Sequence, residues 1–304
     1  MSADAGGTAP GNRPAFSIIT TCKGRLHHLK QSLPSMIAQP ALEVIVVDYD
    51  CPDGTGGWVA DNHPSAVVVR VEGDKGFCAA RARNAGAAQA RGEWLACVDA
   101  DNVVHPEWLG WVGQRLTSRS YFIIENDMAK RDAAGALVCR KTDFALSGQY
   151  DEAIRGWGAE DTDLRVRLGS IGLDVVEFPF DHMQPIPHSD ATRQTIGDLS
   201  IAQIRVRNQL FLRAKKIVND RFGGMEKCCR EALLQSLSLA ATPGGPEKVK
   251  HYYPVRFYRY CAACASKMSC NSEITMHRQP PGLFRKKRFH ISERQPTAAW
   301  QNQD

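Results

Sequence analysis

Short runs of β-branched and apolar residues alternate with helically spaced stretches over the first hundred residues, and few architectures accommodate that alternation. Phe16-Ser17-Ile18-Ile19-Thr20 reads as a first strand, followed by helical spacing from Leu26 to Ile37. Leu42-Glu43-Val44-Ile45-Val46-Val47 is a second strand, ended by the turn-rich Asp48-Tyr49-Asp50-Cys51-Pro52-Asp53-Gly54. Residues 66–71 make a third strand, the alanine-rich stretch 77–90 a helix, and Trp94-Leu95-Ala96-Cys97-Val98 a fourth strand. Strands separated by helical stretches predict an α/β fold: a mostly parallel central sheet flanked by helices on both faces.

Such sheets bind ligands beyond the carboxyl ends of their strands. That rule points to three segments, which contain Thr20, Cys22, Lys23 and Arg25, then Asp48 and Asp50, then Asp99-Ala100-Asp101. Two carboxylates one residue apart at a strand end can reach a single hard cation. A divalent ion there would neutralise the phosphates of a nucleotide donor. The bland alternative is a surface turn that happens to carry two aspartates.

Beyond residue 102 the pattern changes. Residues 121–125 and 136–140 can pair as strands around Asp132-Ala133-Ala134-Gly135, and a loop over 148–163 leads to a short helix ending near Gly172. Residues 173–178 read as a last strand. The loop contains Gly156-Trp157-Gly158-Ala159-Glu160-Asp161-Thr162-Asp163. Its glycines permit an unusual backbone path. Trp157 offers a flat apolar face to a sugar ring, and an adjacent carboxylate can take the proton of an attacking hydroxyl. The competing reading is that Glu160, Asp161 and Asp163 favour the N-terminus of the following helix. Phe180-Asp181-His182-Met183-Gln184-Pro185-Ile186-Pro187-His188-Ser189 supplies two imidazoles, a common ligand type for manganese-like metals.

Residues 16–102 resemble the nucleotide-binding half of family 2 glycosyltransferases with the Rossmann-like GT-A fold. The resemblance is carried by Ser17-Ile18-Ile19-Thr20-Thr21-Cys22-Lys23-Gly24-Arg25, by Val46-Val47-Asp48 through Asp53-Gly54-Thr55, by Gly76 with Arg83-Asn84-Ala85-Gly86, and by Gly92-Glu93-Trp94-Leu95 running into Asp99-Ala100-Asp101. The later loop resembles the Gly-Trp-Gly-x-Glu-Asp segment of the β-1,4-galactosyltransferase family. Together the two cover about residues 16–190. The resemblance implies transfer of a sugar from a nucleotide diphosphate donor, UDP foremost, with inversion. It implies that Thr20, Cys22, Lys23, Arg25, Asp48 and Asp50 surround the nucleoside and that Arg83 approaches the diphosphate. It implies Mn2+ or Mg2+ on Asp99, Asp101 and His188, with His182 the alternative imidazole. By the same resemblance Asp161 is the base, Glu160 is a second catalytic residue that holds donor or acceptor hydroxyls, and Trp157, Gly158 and Glu160 contact the acceptor. One departure stands out: Tyr49 replaces the usual second acid of an Asp-Asp-Gly-Ser motif, and Asp50 stands where glycine is common.

The expected organisation is a disordered lead over 1–14, a catalytic domain over 15–198 and a helical, basic extension over 199–304. The catalytic domain would have a nucleotide-binding half (15–102) and an acceptor half (103–198). Residues 199–240 read as helical, with residues 201–213 amphipathic, and Thr242-Pro243-Gly244-Gly245-Pro246 breaks the pattern. The net charge of +5 is too mild to indicate nucleic acid, but residues 247–304 hold eleven Lys/Arg against four Asp/Glu. Within them Arg285-Lys286-Lys287-Arg288, beside Phe284 and Phe289, suits either an anionic membrane surface or a solvated tail. Cys261, Cys264, Cys270 and His277 match no common zinc spacing, so buried thiols are expected. With no signal-peptide pattern and no apolar run of membrane-spanning length, a cytoplasmic protein with reduced cysteines is expected. The acceptor would be a glycan, a lipid-linked intermediate or a small molecule. The competing functions are a nucleotidyltransferase, disfavoured by the single Gly24 in its first loop, and a sugar- or nucleotide-binding module without turnover.

Overall fold

The computed structural model describes residues 14–74, 76–125, 135–156, 158–188 and 200–222, with Leu234 and the runs 273–278 and 289–294. The chain divides into two compact units. One comprises residues up to 75, 80–150 and 164–188; the other comprises 76–79, 151–163 and 189 onward.

In the first unit β1 (Phe16–Cys22), β2 (Glu43–Asp48), β3 (Val67–Arg70) and β4 (Trp94–Cys97) run parallel, as the alternation requires. Every residue of β2 is buried, the mark of a strand covered on both faces. The crossovers are α1 (Leu26–Ile37), α2 (Thr55–Asn62) and α3 (Ala79–Gln89). Helix α3 approaches β1 closely at Gly86, where a Cβ would lie 2.5 Å from the Ile19 side chain. Arg83, one turn earlier, is buried on the same face.

The chain continues through β5 (Asn102–Val104), α4 (Trp108–Gly113), β6 (Ser120–Ile124), β7 (Leu137–Arg140), α5 (Lys141–Leu146), α6 (Glu160–Ser170), β8 (Asp174–Phe178) and β9 (Met183–Pro185). The main sheet has the order β3-β2-β1-β4-β7-β6-β8. The pairing expected around Gly135 is present, with Phe122 opposite Val138 in an antiparallel ladder. Strands β5 and β9 form a separate antiparallel pair; at three residues each they are too short for alternation to reveal them. The core joins both ends of the sheet through Phe16, Val46, Trp94, Trp108, Phe122 and Phe178.

The second unit contains α7 (Ile201–Phe222) and an antiparallel pair, β10 (Glu273–Arg278) and β11 (Phe289–Arg294). The extension is therefore not wholly helical as expected: Ile274 and Met276 alternate with polar residues, a period-two pattern inside aperiodic sequence. Of the helix expected over 199–240, α7 covers 201–222. Residues 1–13, the basic run 285–288 and Cys261, Cys264 and Cys270 lie outside the described residues. Among the described residues no cysteine is in a disulfide and no helix is long and apolar enough to cross a membrane.

Candidate functional site

The loops after β1 and β2 are stitched together by main-chain and thiol contacts. Tyr49 N donates to Cys22 O at 3.0 Å and Gly24 N to Cys51 Sγ at 3.1 Å. Asp48 turns its carboxylate onto its own loop, accepting from Cys51 N (2.9 Å) and Gly56 N (2.8 Å) at the start of α2. Asp50 is exposed in a left-handed conformation, φ 47°. That conformation explains why glycine suits the position. Tyr49 is fully buried and donates its hydroxyl to Asp74 Oδ2 at 2.6 Å, while Lys23 Nζ donates to Asp74 O at 3.1 Å and stands 5.5 Å from the Tyr49 ring centroid. Cys22 is buried and accepts from Thr55 Oγ1, and burial pushes its thiol up to about 12. Thr20 is buried too, and its hydroxyl has no hydrogen-bond partner among the described residues.

At the end of β4 two arginines from different elements hold the two aspartates. Arg83 Nη2 donates to Asp99 Oδ1 at 2.7 Å, and Arg25 Nη1 donates to Asp101 Oδ2 at 2.8 Å. Ala100 between them is anchored through its carbonyl, which accepts from Ser32 Oγ at 2.6 Å. The β5–β9 pair explains how a histidine distant in sequence arrives here. Asn102 pairs with Pro185, Ile186 N donates to Asp101 O at 2.7 Å, and two residues later His188 Nδ1 lies 3.7 Å from Asp101 Oδ2. The His188 side chain is 5% exposed, and its Nε2 has no hydrogen-bond partner among the described residues. His182 is placed otherwise, stacked on His105 and Phe178 with Trp111 against its edge. Burial, with the neighbouring Asp99 charge, lifts Asp101 to about 6 against the opposing pull of Arg25 and His188. His28 on α1, its ring 5.5 Å from that of His188, is pushed down to about 4 by burial and by His27, Arg25 and His188. Among the described residues no three His, Cys, Asp or Glu side chains already converge as a metal site. Both carboxylates are instead engaged with arginines.

The second unit carries the Gly-x-Gly segment. Gly156 (φ 78°), Gly158 (φ 84°) and Ala159 (φ 88°) are all left-handed, the unusual path that the glycines suggested. Glu160 then opens α6, with Asp161 and Asp163 in its first turn. Glu160 and Asp163 are buried and Asp161 is half-buried. Trp157 lies outside the described residues.

Two known families match in tandem. Residues 17–121 match Glycosyl transferase family 2, and residues 120–189 match the N-terminal domain of galactosyltransferase. Residues 17–189 are thus similar to glycosyltransferases in two consecutive stretches. The fold is GT-A, shared with a mannosyltransferase, PcManGT from Pyrobaculum calidifontis, solved with GDP-Man and Mn2+ (17% identity, TM-score 0.54, covering 85% of this chain and 77% of that one). It is shared also with S. aureus TarS 1–349 in complex with UDP-GlcNAc (15% identity, TM-score 0.54, covering 74% and 72%). No curated protein sequence matches the chain.

Within residues 17–189 the structure brings Arg25, Arg83, Asp99, Asp101 and His188 to one end of the sheet. It turns Cys22 and the Asp48 carboxylate to structural use. Sequence reasoning missed Asp74 and Gly135. A Cβ on Gly135 would lie 2.3 Å from Asp99 Oδ2 and 2.9 Å from Arg83 Nη2, so this glycine backs directly onto the ion pair. Neither residue has a local signal, because each is defined by what folds against it.

Proposed function

We propose that the chain is an inverting, metal-dependent glycosyltransferase that takes a sugar from a nucleotide diphosphate, UDP by preference, and passes it to an acceptor hydroxyl. The observation that carries this reading is the constellation at the end of β4, where Asp99 and Asp101 are held by Arg83 and Arg25 beside His188. Lys23, Arg25 and the loop of Asp48 and Asp50 border the nucleoside, and Arg83 supplies a charge-assisted donor to the diphosphate. Asp99, Asp101 and His188 are the proposed ligands of Mn2+ or Mg2+. They fit in kind: two carboxylates and an imidazole suit a manganese-like ion, and His188 Nε2 is buried without a partner among the described residues. When bound, such an ion would neutralise charge on the departing diphosphate.

Asp161 accepts the acceptor hydroxyl proton as that oxygen bonds to the anomeric carbon. The bond from that carbon to the diphosphate oxygen breaks, and its electron pair leaves with the diphosphate. A single displacement inverts the anomeric centre. Glu160, Gly158 and Trp157 contact the acceptor, which is a glycan, a lipid-linked intermediate or a small molecule, and the protein acts in the cytoplasm.

Calorimetric titration with UDP and with GDP, each with Mn2+ and then with EDTA, tests the donor site. Metal-dependent UDP binding that Asp99→Ala abolishes is the expected result. Binding of GDP alone would change the donor, and binding of neither would end the donor reading. Asp161→Asn is expected to slow nucleotide-sugar turnover roughly 100- to 10,000-fold with nucleotide affinity retained; joint loss of both would make Asp161 structural.

A further inference from the structure

Helix α7 follows the matched domain, yet one of its faces is committed to the segment that carries Glu160 and Asp161. Ile204, Arg207, Asn208, Phe211 and Lys215 are all buried, at the spacing of a single helix face. Ile204 and Phe211 are apolar; the other three bind the loop at its two ends and its middle. Asn208 Nδ2 donates to Gly158 O at 2.8 Å, and Arg207 Nη2 donates to Arg155 O at 2.5 Å. Asn208 Oδ1 in turn accepts from Arg207 Nε at 3.0 Å and Nη2 at 2.8 Å, fixing both side chains. Lys215 Nζ lies 2.7 Å from Asp151 Oδ2 and 2.7 Å from Asp163 Oδ1, with all three side chains under 10% exposed.

These contacts fall where the loop needs support. Asp151 and Asp163 bracket the left-handed run at Gly156, Gly158 and Ala159, and left-handed backbone at a non-glycine residue is costly unless its surroundings determine it. A buried carboxylate pair around one ammonium is costly to disrupt, since removing the cation leaves uncompensated buried charge. Asp163 is therefore bound to α7 and does more than sit in the first turn of α6.

We propose that α7 is the clamp that sets the conformation of the catalytic loop, with Asn208, Arg207 and Lys215 as positioning residues for Glu160 and Asp161. The proposal rests on the assignment of Asp161 as the base. It makes turnover depend on a segment that neither family match covers, through two backbone carbonyls and two buried carboxylates of the loop.

Asn208→Asp is the test, because it removes the donor to Gly158 O while keeping the size of the side chain and the acceptor for Arg207. Hydrogen exchange of residues 152–163 is expected to rise at least about tenfold, with β1 and β4 amides unchanged. Turnover, read as nucleoside diphosphate released from UDP-glucose, UDP-galactose, UDP-GlcNAc or GDP-mannose, is expected to fall roughly 10- to 100-fold with UDP affinity retained. In the Asp161→Asn background the same change is expected to alter turnover less than about twofold, since both act through one group. Unchanged loop exchange overturns the clamp. So does raised exchange with full turnover, or an equal loss in both backgrounds. Absence of turnover in the unaltered protein would refute the glycosyltransferase reading, while the exchange result would still decide the clamp.

Discussion

Gly135 shows how much a single position can carry at this site. A methyl group there meets the free ends of the Asp99 and Arg83 side chains, not backbone, so relief comes from rotating the carboxylate out of its ion pair. Gly135→Ala is therefore expected to leave the melting temperature within about 3 °C while weakening Mn2+-dependent UDP binding at least about tenfold. Paired melting and calorimetric measurements check this, and a large fall in melting temperature with intact binding would contradict it. Tyr49 makes a related point. Its ring is fully buried, and its hydroxyl donates to Asp74 in the loop after β3, so two strand ends are tied by one side chain.

At the scale of elements, the amino ends of β1 and β2 are tied by one buried carboxylate. Glu43 Oε1 accepts from Ser17 Oγ (2.7 Å) and Arg91 N (2.6 Å), Oε2 accepts from Arg91 Nε (2.8 Å), and Gly92 N donates to Ser17 Oγ (2.8 Å). Burial raises the Glu43 pKa, but the bonds from Arg91 N, Ser17 and the Arg91 side chain outweigh it and hold the group below its ordinary value of 4.5. A carboxylate held low in the folded state adds stability that is present above the unfolded pKa and lost as pH falls through the folded one. Urea midpoints measured downward from about pH 5 are expected to fall more steeply for the unaltered protein than for Glu43→Gln, which cannot titrate. Superimposable acid limbs would show that the network does not bear on stability.

For the molecule as a whole, the second unit joins segments distant in sequence: the loop over 151–163 and helix α7 share the buried Lys215–Asp151–Asp163 cluster. A chain ending before Ser200 loses Lys215 and strands two buried carboxylates. Its melting temperature is expected to drop by about 10 °C or more, given the cost of breaking such a cluster. Scanning calorimetry of the truncated and full chains decides the matter, and equal transitions would mean that α7 contributes nothing to the loop's stability.

Much of the fold was legible because it rests on local patterns. Alternating β-branched runs and helical spacing determined four parallel strands and their crossovers, and the strand-end rule located Asp99 and Asp101. The glycines around Trp157 foretold an unusual backbone path, which the structure shows to be left-handed at Gly156 and Gly158. What only the tertiary structure decided were the pairings that join distant segments. The β5–β9 ladder sets His188 beside Asp101 and leaves His182 among aromatic rings, yet each of its strands is too short to show a period. The Tyr49–Asp74 bond, the back of Gly135 and the contacts of α7 with the loop over 151–163 likewise arise from close approach in space. Such approach leaves no spacing in the sequence, because the partners are brought together by the burial of other residues.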